Sequence, residues 1–514
     1  MSMDGTQAAE GEEFGPFGRP LFNDPKAKAL SRVGTIDVGS NSVRLVVFDG
    51  AARSPAYFYN EKIMAGLGAD MRQTGRLSVE GRARALSALK RFSLLCNGLD
   101  VNPITAVATA AVRDAEDGKE FCEEVLRETG LNLWVASGKE EARLSAQGVF
   151  LGWPEAQGLM CDIGGSSMEL AEIGDGVVGH RVSSQLGPLK LKGMKGGYDA
   201  RKKVIDDTMH GLRTEMSGTY KTIYLVGGSW RALARLDMER RGYPLKVLHE
   251  YRMTPKSVLQ TVKWIRGKSI DELRAITGNS EARMRLVPIA AQVLKSLIQR
   301  FKPKALATSG YGIREGLLYE QMPFELKRRD PLIEACRWDE AKNARVPGFG
   351  RQLHKFIEPI FGSKTPYERA RLIRAACLLH DVSWRAHPDY RAEVCFDNAT
   401  RANLGGLDHQ GRVFLGVALL HRYKNSRDGT RFEELFELLP EKDLRAAEIL
   451  GKAMRFGAMF SVQRHELMGK FSFHPKKKVL RLKLHPETRD LYGEVAAARL
   501  SALASAMDAE IDLR

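Results

Sequence analysis

The sequence predicts an α/β fold, with two similar α/β units in tandem followed by a helical region. Three observations predict it. A strand–turn–strand pattern runs through Thr35-Ile36-Asp37-Val38-Gly39 and Val43-Arg44-Leu45-Val46-Val47-Phe48. The pattern recurs at Met160-Cys161-Asp162-Ile163-Gly164 and Met168-Glu169-Leu170-Ala171-Glu172-Ile173. From about residue 328 strand signals fade and amphipathic helical patterning dominates.

Residues 1–31 hold Gly, Pro and acidic residues with little periodicity and are expected to form a flexible tail. The first α/β unit is expected over 32–152. After its opening hairpin, helical patterning from Ser78 to about Leu95 places Leu86, Leu89 and Phe92 on one face. Ile104 to Ala108 and Leu131 to Val135 read as short apolar strands, and helix returns after Ser137. The second unit is expected over 153–327. In it Asp162 matches Asp37, Gly164 matches Gly39, Ser167 matches Ser42 and Leu170 matches Leu45, with the two aspartates 125 residues apart. Such self-similarity at about one domain length is the mark of a duplicated unit. Gly50 and Gly176 are expected to close the two hairpins. Lys327-Arg328-Arg329-Asp330-Pro331 reads as a linker to the helical domain, 328–514, in which the alternation Val479-Leu480-Arg481-Leu482-Lys483-Leu484 predicts one hairpin.

Composition narrows the function classes. At 514 residues, 43% hydrophobic and 28% charged, the chain is a normal soluble mix with several domains' worth of core. No apolar run approaches the roughly 18–20 residues of a membrane span, and the N-terminus lacks a secretory pattern. Six cysteines without a CxxC pair read as buried thiols in a reducing compartment, so a cytoplasmic location is expected. The net charge of +16 attracts polyanions, whether nucleic acid, anionic membrane or polyphosphate, without choosing among them.

The two hairpin turns carry the chemistry. They are Asp37-Val38-Gly39-Ser40-Asn41-Ser42 and Asp162-Ile163-Gly164-Gly165-Ser166-Ser167. Glycine permits positive φ and close approach of a ligand. Successive N–H groups in such a turn make an anion-binding concavity, to which serine hydroxyls add donors. An aspartate at the head of each turn, Asp37 and Asp162, can hold Mg²⁺ directly or through water. Ordinary hairpin turns would explain the serines but not the repeated aspartate. Leu225-Val226-Gly227-Gly228-Ser229 and Thr308-Ser309-Gly310-Tyr311-Gly312 are further strand-to-helix junctions, each readable as an anion site or as a simple turn.

Hydrolysis of a phosphoanhydride needs an in-line water and a base beside it. In Ser137-Gly138-Lys139-Glu140-Glu141-Ala142-Arg143, Ser137 and Glu140 fit a capping box, with Glu140 turned back to the N-cap backbone. Glu141 is then left free to act as base, although both glutamates could simply complement the helix dipole. Arg113 has the fork to grip phosphate, or to form a surface ion pair.

Together these segments resemble the exopolyphosphatase and guanosine pentaphosphate phosphohydrolase (Ppx/GppA) family of the actin, hexokinase and Hsp70 superfamily. The resemblance lies in DVGSNSVRLVV at 37–47, TAAVR at 109–113, SGKEEARLSAQGV at 137–149, DIGGSSMEL at 162–170, VGGSWRALA at 226–234 and GYGIREGLLYE at 310–320. It implies two actin-like (ribonuclease H-like) domains and an all-α HD-like C-terminal domain. It further implies Glu141 as general base, with Asp162 and Glu169 on the Mg²⁺ side. Gly39, Ser40, Asn41, Ser42, Gly164, Gly165 and Ser166 would cradle phosphate, and Arg113 would contact it. Two departures stand in the second turn, where Ser166 replaces a third glycine and Met168 a threonine. Arg44 adds charge after the first turn. The HD reminder is Leu378-Leu379-His380-Asp381-Val382, with His354, His387, His409 and His421 as candidate further ligands, but Ser383 and Arg391-Ala392 depart from that pattern.

The expected activity is release of terminal orthophosphate from inorganic polyphosphate. Lys476, Lys477, Lys478, Arg481 and Lys483 would carry the rest of the polymer. Hydrolysis of guanosine pentaphosphate is the near rival. A sugar kinase is disfavoured because no sugar loop or aspartate base is found, and a non-catalytic polyphosphate or nucleotide sensor is the rival from another class. No specific nucleic-acid or membrane partner is expected, and the resemblance implies a homodimer.

Overall fold

In the computed structural model, which describes residues 29–51, 53–362, 364–460 and 465–514, the opening alternation becomes a three-stranded antiparallel meander. Its strands are β1 (Ala29–Val38), β2 (Val43–Ala51) and β3 (Ser54–Ile63). Of the expected tail, residues 1–28 lie outside the described residues, whereas 29–31 already belong to β1. β4 (Ile104–Ala108) and β5 (Leu133–Val135) join in parallel, giving the order β3-β2-β1-β4-β5.

The second alternation builds β6 (Gly158–Ile163), β7 (Met168–Gly174) and β8 (Val177–Ser184), again antiparallel. β9 (Thr222–Val226) and β11 (Ala305–Thr308) extend this sheet in parallel, and the short β10 (Arg252–Met253) closes its edge. Read from β8, the order β8-β7-β6-β9-β11 repeats that of the first sheet strand for strand. Gly176, at φ +74°, sits in the β7–β8 turn as expected, but Gly50 is paired within β2 and the chain turns beyond it.

Period-two alternation sends each strand's apolar residues to opposite faces. In β2, Leu45 and Val47 pack with Leu89 and Phe92 in one core, while Val46 and Phe48 face another. That other core also takes Met160, Tyr224 and Ala307 from the second sheet. The helix Gly138–Gly152 contributes Ala142, Ala146, Val149 and Phe150 to it, so this helix lies between the two sheets. It crosses the helix Ile313–Glu320 at very close range. A Cβ on Gly316 would stand 1.7 Å from the Leu144 carbonyl, so only glycine fits there. Arg143 latches the same crossing by pairing with Glu320.

The chain divides into two compact units, Met1–Arg329 and Asp330–Arg514, and both large sheets belong to the first. The second is helical but not purely so. β12 (Lys470–His474) and β13 (Val479–Lys483) form the expected hairpin, and β14 (Glu510–Leu513) adds in parallel to β13. No helix among the described residues is long and apolar enough to cross a membrane. Cys96, Cys161, Cys336, Cys377 and Cys395 are buried and free, and Cys122 is free and partly exposed.

Candidate active site

Both glycine–serine turns close in the same way. Gly39 N–H donates to the Ser42 carbonyl at 3.0 Å, and Gly164 N–H donates to the Ser167 carbonyl at 3.0 Å. These two N–H groups, expected as phosphate donors, are therefore used by the turns themselves. The N–H groups of Ser40, Asn41, Gly165 and Ser166 enter no backbone hydrogen bond among the described residues. Positive φ is not what the turn glycines supply, because none of Gly39, Gly164 and Gly165 adopts it. That role falls to Gly227 at φ +110°, where a Cβ would stand 2.6 Å from the Ile163 carbonyl. The tips meet, with Ser166 Oγ donating to Ser40 Oγ at 3.0 Å, so the serine in place of a third glycine bridges the two turns.

Between the turns opens a cavity of about 690 Å³, lined by both turns and by Asp37, Glu141, Asp162 and Glu169. Strand register explains two of the acids. Asp162 on β6 stands directly opposite Glu169 on β7, and like charges in opposing positions repel. Burial raises Asp162, whose carboxylate accepts from the Ser145 hydroxyl. Burial, then Glu141 and Asp162, push Glu169 well above the carboxylate range, although Ser183 Oγ donates to it at 3.0 Å. Asp37 is instead ion-paired with Arg314 at 2.9 Å.

Glu141 stands in the first turn of its helix. Ser137 caps that helix, its Oγ accepting from Glu140 N–H at 3.2 Å. The reciprocal half of the expected capping box is not formed, because the Glu140 carboxylate turns to Arg143 at 2.7 Å. Burial lifts the Glu141 carboxyl to about 7, against the pull of Arg113, with Asp162 and Asp37 adding to the rise. Arg113, expected on phosphate, does not line the cavity. Its guanidinium holds Glu141 and also donates to the Ala136 carbonyl at 2.9 Å, which orients the carboxylate.

The cationic wall facing these acids is marked in the sequence at Arg44 alone. It comprises Arg44, Lys62, Arg231, Arg235, Arg283 and Arg314. Two signals were available. Register places Arg44 opposite Lys62, a like-charge pair that an anion would relieve. Arg231 and Arg314 lie in the opening turns of helices that start at Gly228 and Ile313, where the dipole disfavours a cation. Burial, followed by Arg314, lowers Arg44 to about 10. Desolvation in the wall, then Arg283, Arg44 and Arg314, lowers Lys62 to about 8, though its side chain keeps an exposed face.

In the helical unit, no three His, Cys, Asp or Glu side chains among the described residues come together as a metal site, so His354, His387, His409 and His421 do not complete one with His380–Asp381. Of the five basic residues expected to carry a polymer, Lys478 pairs with Asp508 and Arg481 with Asp512. Lys476, Lys477 and Lys483 are exposed.

Two facing N–H- and hydroxyl-rich turns, a row of acids and a cationic wall line one cleft of the α/β unit. Residues 46–325 match the Ppx/GppA phosphatase family, and residues 338–513 match the exopolyphosphatase C-terminal family. The chain belongs to the Ppx/GppA phosphatase family. It is 24% identical to retrograde regulation protein 2 of Saccharomyces cerevisiae over 78% of this chain and 74% of that protein. It is 25% identical to exopolyphosphatase 1 of Mycobacterium tuberculosis over 57% of this chain and 89% of that protein. Among solved structures, an exopolyphosphatase from Cytophaga hutchinsonii superposes with a TM-score of 0.53 at 22% identity, covering 57% of this chain and 98% of that one. A Ppx/GppA member from Aquifex aeolicus gives 0.50 at 24% identity, covering 56% and 97%. These last two likenesses concern the fold alone.

Proposed function

We propose that the chain is an exopolyphosphatase, cleaving the terminal phosphoanhydride of inorganic polyphosphate with Glu141 as general base. The observation that carries this reading is a buried carboxylate raised to about 7, held by Arg113 in a cavity walled by two phosphate-type turns. A base of that strength is half-ionised near neutral pH, where general-base catalysis works best. The N–H groups of Ser40, Asn41, Gly165 and Ser166 would hold the terminal phosphoryl oxygens, and the cationic wall would draw in the anionic chain. Glu141 would take the proton of a water attacking the terminal phosphorus. The bridging P–O bond breaks, and the shortened chain leaves with the bridging oxygen.

The donor set fits Mg²⁺. Asp162, Glu169 and Asp37 offer hard oxygens, and buried acids that repel one another are relieved by a cation. They form no ready-made cage, which suits an ion bound by one or two carboxylates and completed by water and substrate phosphate. Bound there, Mg²⁺ would neutralise charge on the transferring phosphoryl group. The shared strand order of the two sheets supports reading 32–152 and 153–327 as tandem actin-like domains.

A second reading, a regulator that senses polyphosphate or a nucleotide, is favoured by the similarity to a yeast regulatory protein over 78% of this chain. Orthophosphate release from long-chain polyphosphate and from guanosine pentaphosphate, measured in parallel with Mg²⁺, separates the readings. Release mainly from polyphosphate is expected. Release mainly from the nucleotide would reassign the substrate, and binding without release from either would make the protein a sensor.

A further inference from the structure

The helical unit holds a group of arginines that the proposed hydrolysis does not use. They gather at His380–Asp381. There His380 is buried with Nδ1 2.8 Å from the Cys377 carbonyl. Asp381 is gripped on both oxygens by Arg345, at 2.8 and 2.6 Å. Tyr423 spans the pair, its hydroxyl donating to the His380 carbonyl at 3.0 Å. The guanidinium groups of Arg422 and Arg391 lie over the Tyr423 ring, 4.7 and 5.5 Å from its centre.

Arg422 is the decisive residue. It is 7% exposed, and its Nε is buried without a hydrogen-bond partner. No carbonyl or carboxylate among the described residues accepts from its side chain. The carboxylate that attracts it, Asp381, is already bound by Arg345. Arg391 likewise leaves Nε buried and unpartnered, while Nη2 donates to the Trp384 carbonyl at 2.7 Å. Arg455 and Arg499 continue the group. Arg499 and Arg345 repel Arg422, Arg422 repels Arg455, and Arg455 repels Arg499. A guanidinium removed from water without an acceptor is strongly unfavourable. Arg422 is such a group, whereas Arg455 donates to Asn425 Oδ1 at 2.8 Å and Arg499 to the Arg455 carbonyl at 3.4 Å; their shared positive charge around one carboxylate that Arg345 already binds calls for an external anion at Arg422.

We infer that this corner is a second anion site, which takes a phosphate group on Arg422 with Arg391, Arg455 and Arg499. The forked donors of arginine match phosphate oxygens in pairs, and a multiply charged oxyanion balances several guanidinium groups at once. The inference stands apart from the hydrolysis proposed for the first unit. The phosphate is either free orthophosphate or the end of a short polyphosphate, and the two are distinguished by probing with each.

The test is backbone hydrogen exchange on the full chain, with orthophosphate or tripolyphosphate against chloride at matched ionic strength. Either probe is expected to slow exchange across 378–395 and 420–425. Protection by orthophosphate alone would assign free phosphate, and protection by tripolyphosphate alone a chain end. Arg422→Met should weaken that protection, with affinity lower by about tenfold to a hundredfold, and leave protection at 164–167 in the first unit intact. Without phosphate this variant should melt no lower than the parent, because an unpaired buried charge has been removed. A guanidinium serving the fold would instead lower the melting temperature. Should Arg422→Met fail to fold, Arg455→Met provides the same comparison. Absence of protection in the parent with both probes, or protection unchanged in the variants, overturns the site.

Discussion

The two glycine–serine hairpins share a backbone and differ in what they carry across the sheet. In the first, register sets Asp37 beside Arg44 and Arg44 beside Lys62. In the second, the matching positions are Asp162, Glu169 and Ser183. One row is cationic beyond its aspartate, and the other is acidic. Asp37 is ion-paired with Arg314, while Asp162 accepts from the Ser145 hydroxyl. The same strand pairing thus presents a largely cationic row on one hairpin and an acidic row on the other. The helix carrying Glu141 lies between them because its apolar face packs against both sheets.

This asymmetry can be broken deliberately. The largest effect is expected from the aspartates. Asp162→Asn should lower kcat by about 100-fold or more, and Asp37→Asn by about tenfold, since under the proposed Mg²⁺-assisted hydrolysis the first removes an oxygen that no ion pair already engages. Steady-state rates across a Mg²⁺ titration check this, and equal losses would mean the hairpins are not divided as described. Next, Arg44→Met should raise KM for polyphosphate by about tenfold with little change in kcat, as expected for a charge-assisted contact. A fall in kcat alone would move Arg44 out of the binding wall.

The pH profile gives a smaller, two-sided effect. Below about 7 Glu141 takes up a proton and can no longer act as base, so kcat/KM should fall as pH drops through that value. Above about 8 Lys62 loses its charge, so KM for polyphosphate should rise with pH. Lys62→Met should abolish the alkaline limb and leave the acid limb. The smallest effect concerns the scaffold. Ser137→Ala removes the cap before Glu141 and should cost about 1 kcal/mol in chemical denaturation.

Much of this site was legible in the sequence because it is local. The repeated Asp-x-Gly turns, the cap at Ser137 and the position of Glu141 depend on residues a few places apart. What could not be read depends on distant partners. Arg314 reaches Asp37, and Arg143 reaches Glu320, across most of the first unit's length. The Ser137 half of the capping box forms, whereas the Glu140 carboxylate pairs with Arg143 in place of the Ser137 N–H. Nothing local shows that the helix start brings Glu141 to Arg113. In the helical unit the hairpin was legible from its alternation, whereas β14 pairs with β13 from the far end of the chain.

The central claim is that Glu141 removes the proton from the attacking water. The most direct measurement is single-turnover orthophosphate release from polyphosphate by the parent chain and by Glu141→Gln, with polyphosphate binding measured on the same samples. Binding within about twofold and a rate lower by about 100-fold or more is the predicted result. Release by Glu141→Gln at the parent rate would contradict it and require the base to be sought elsewhere in the cavity.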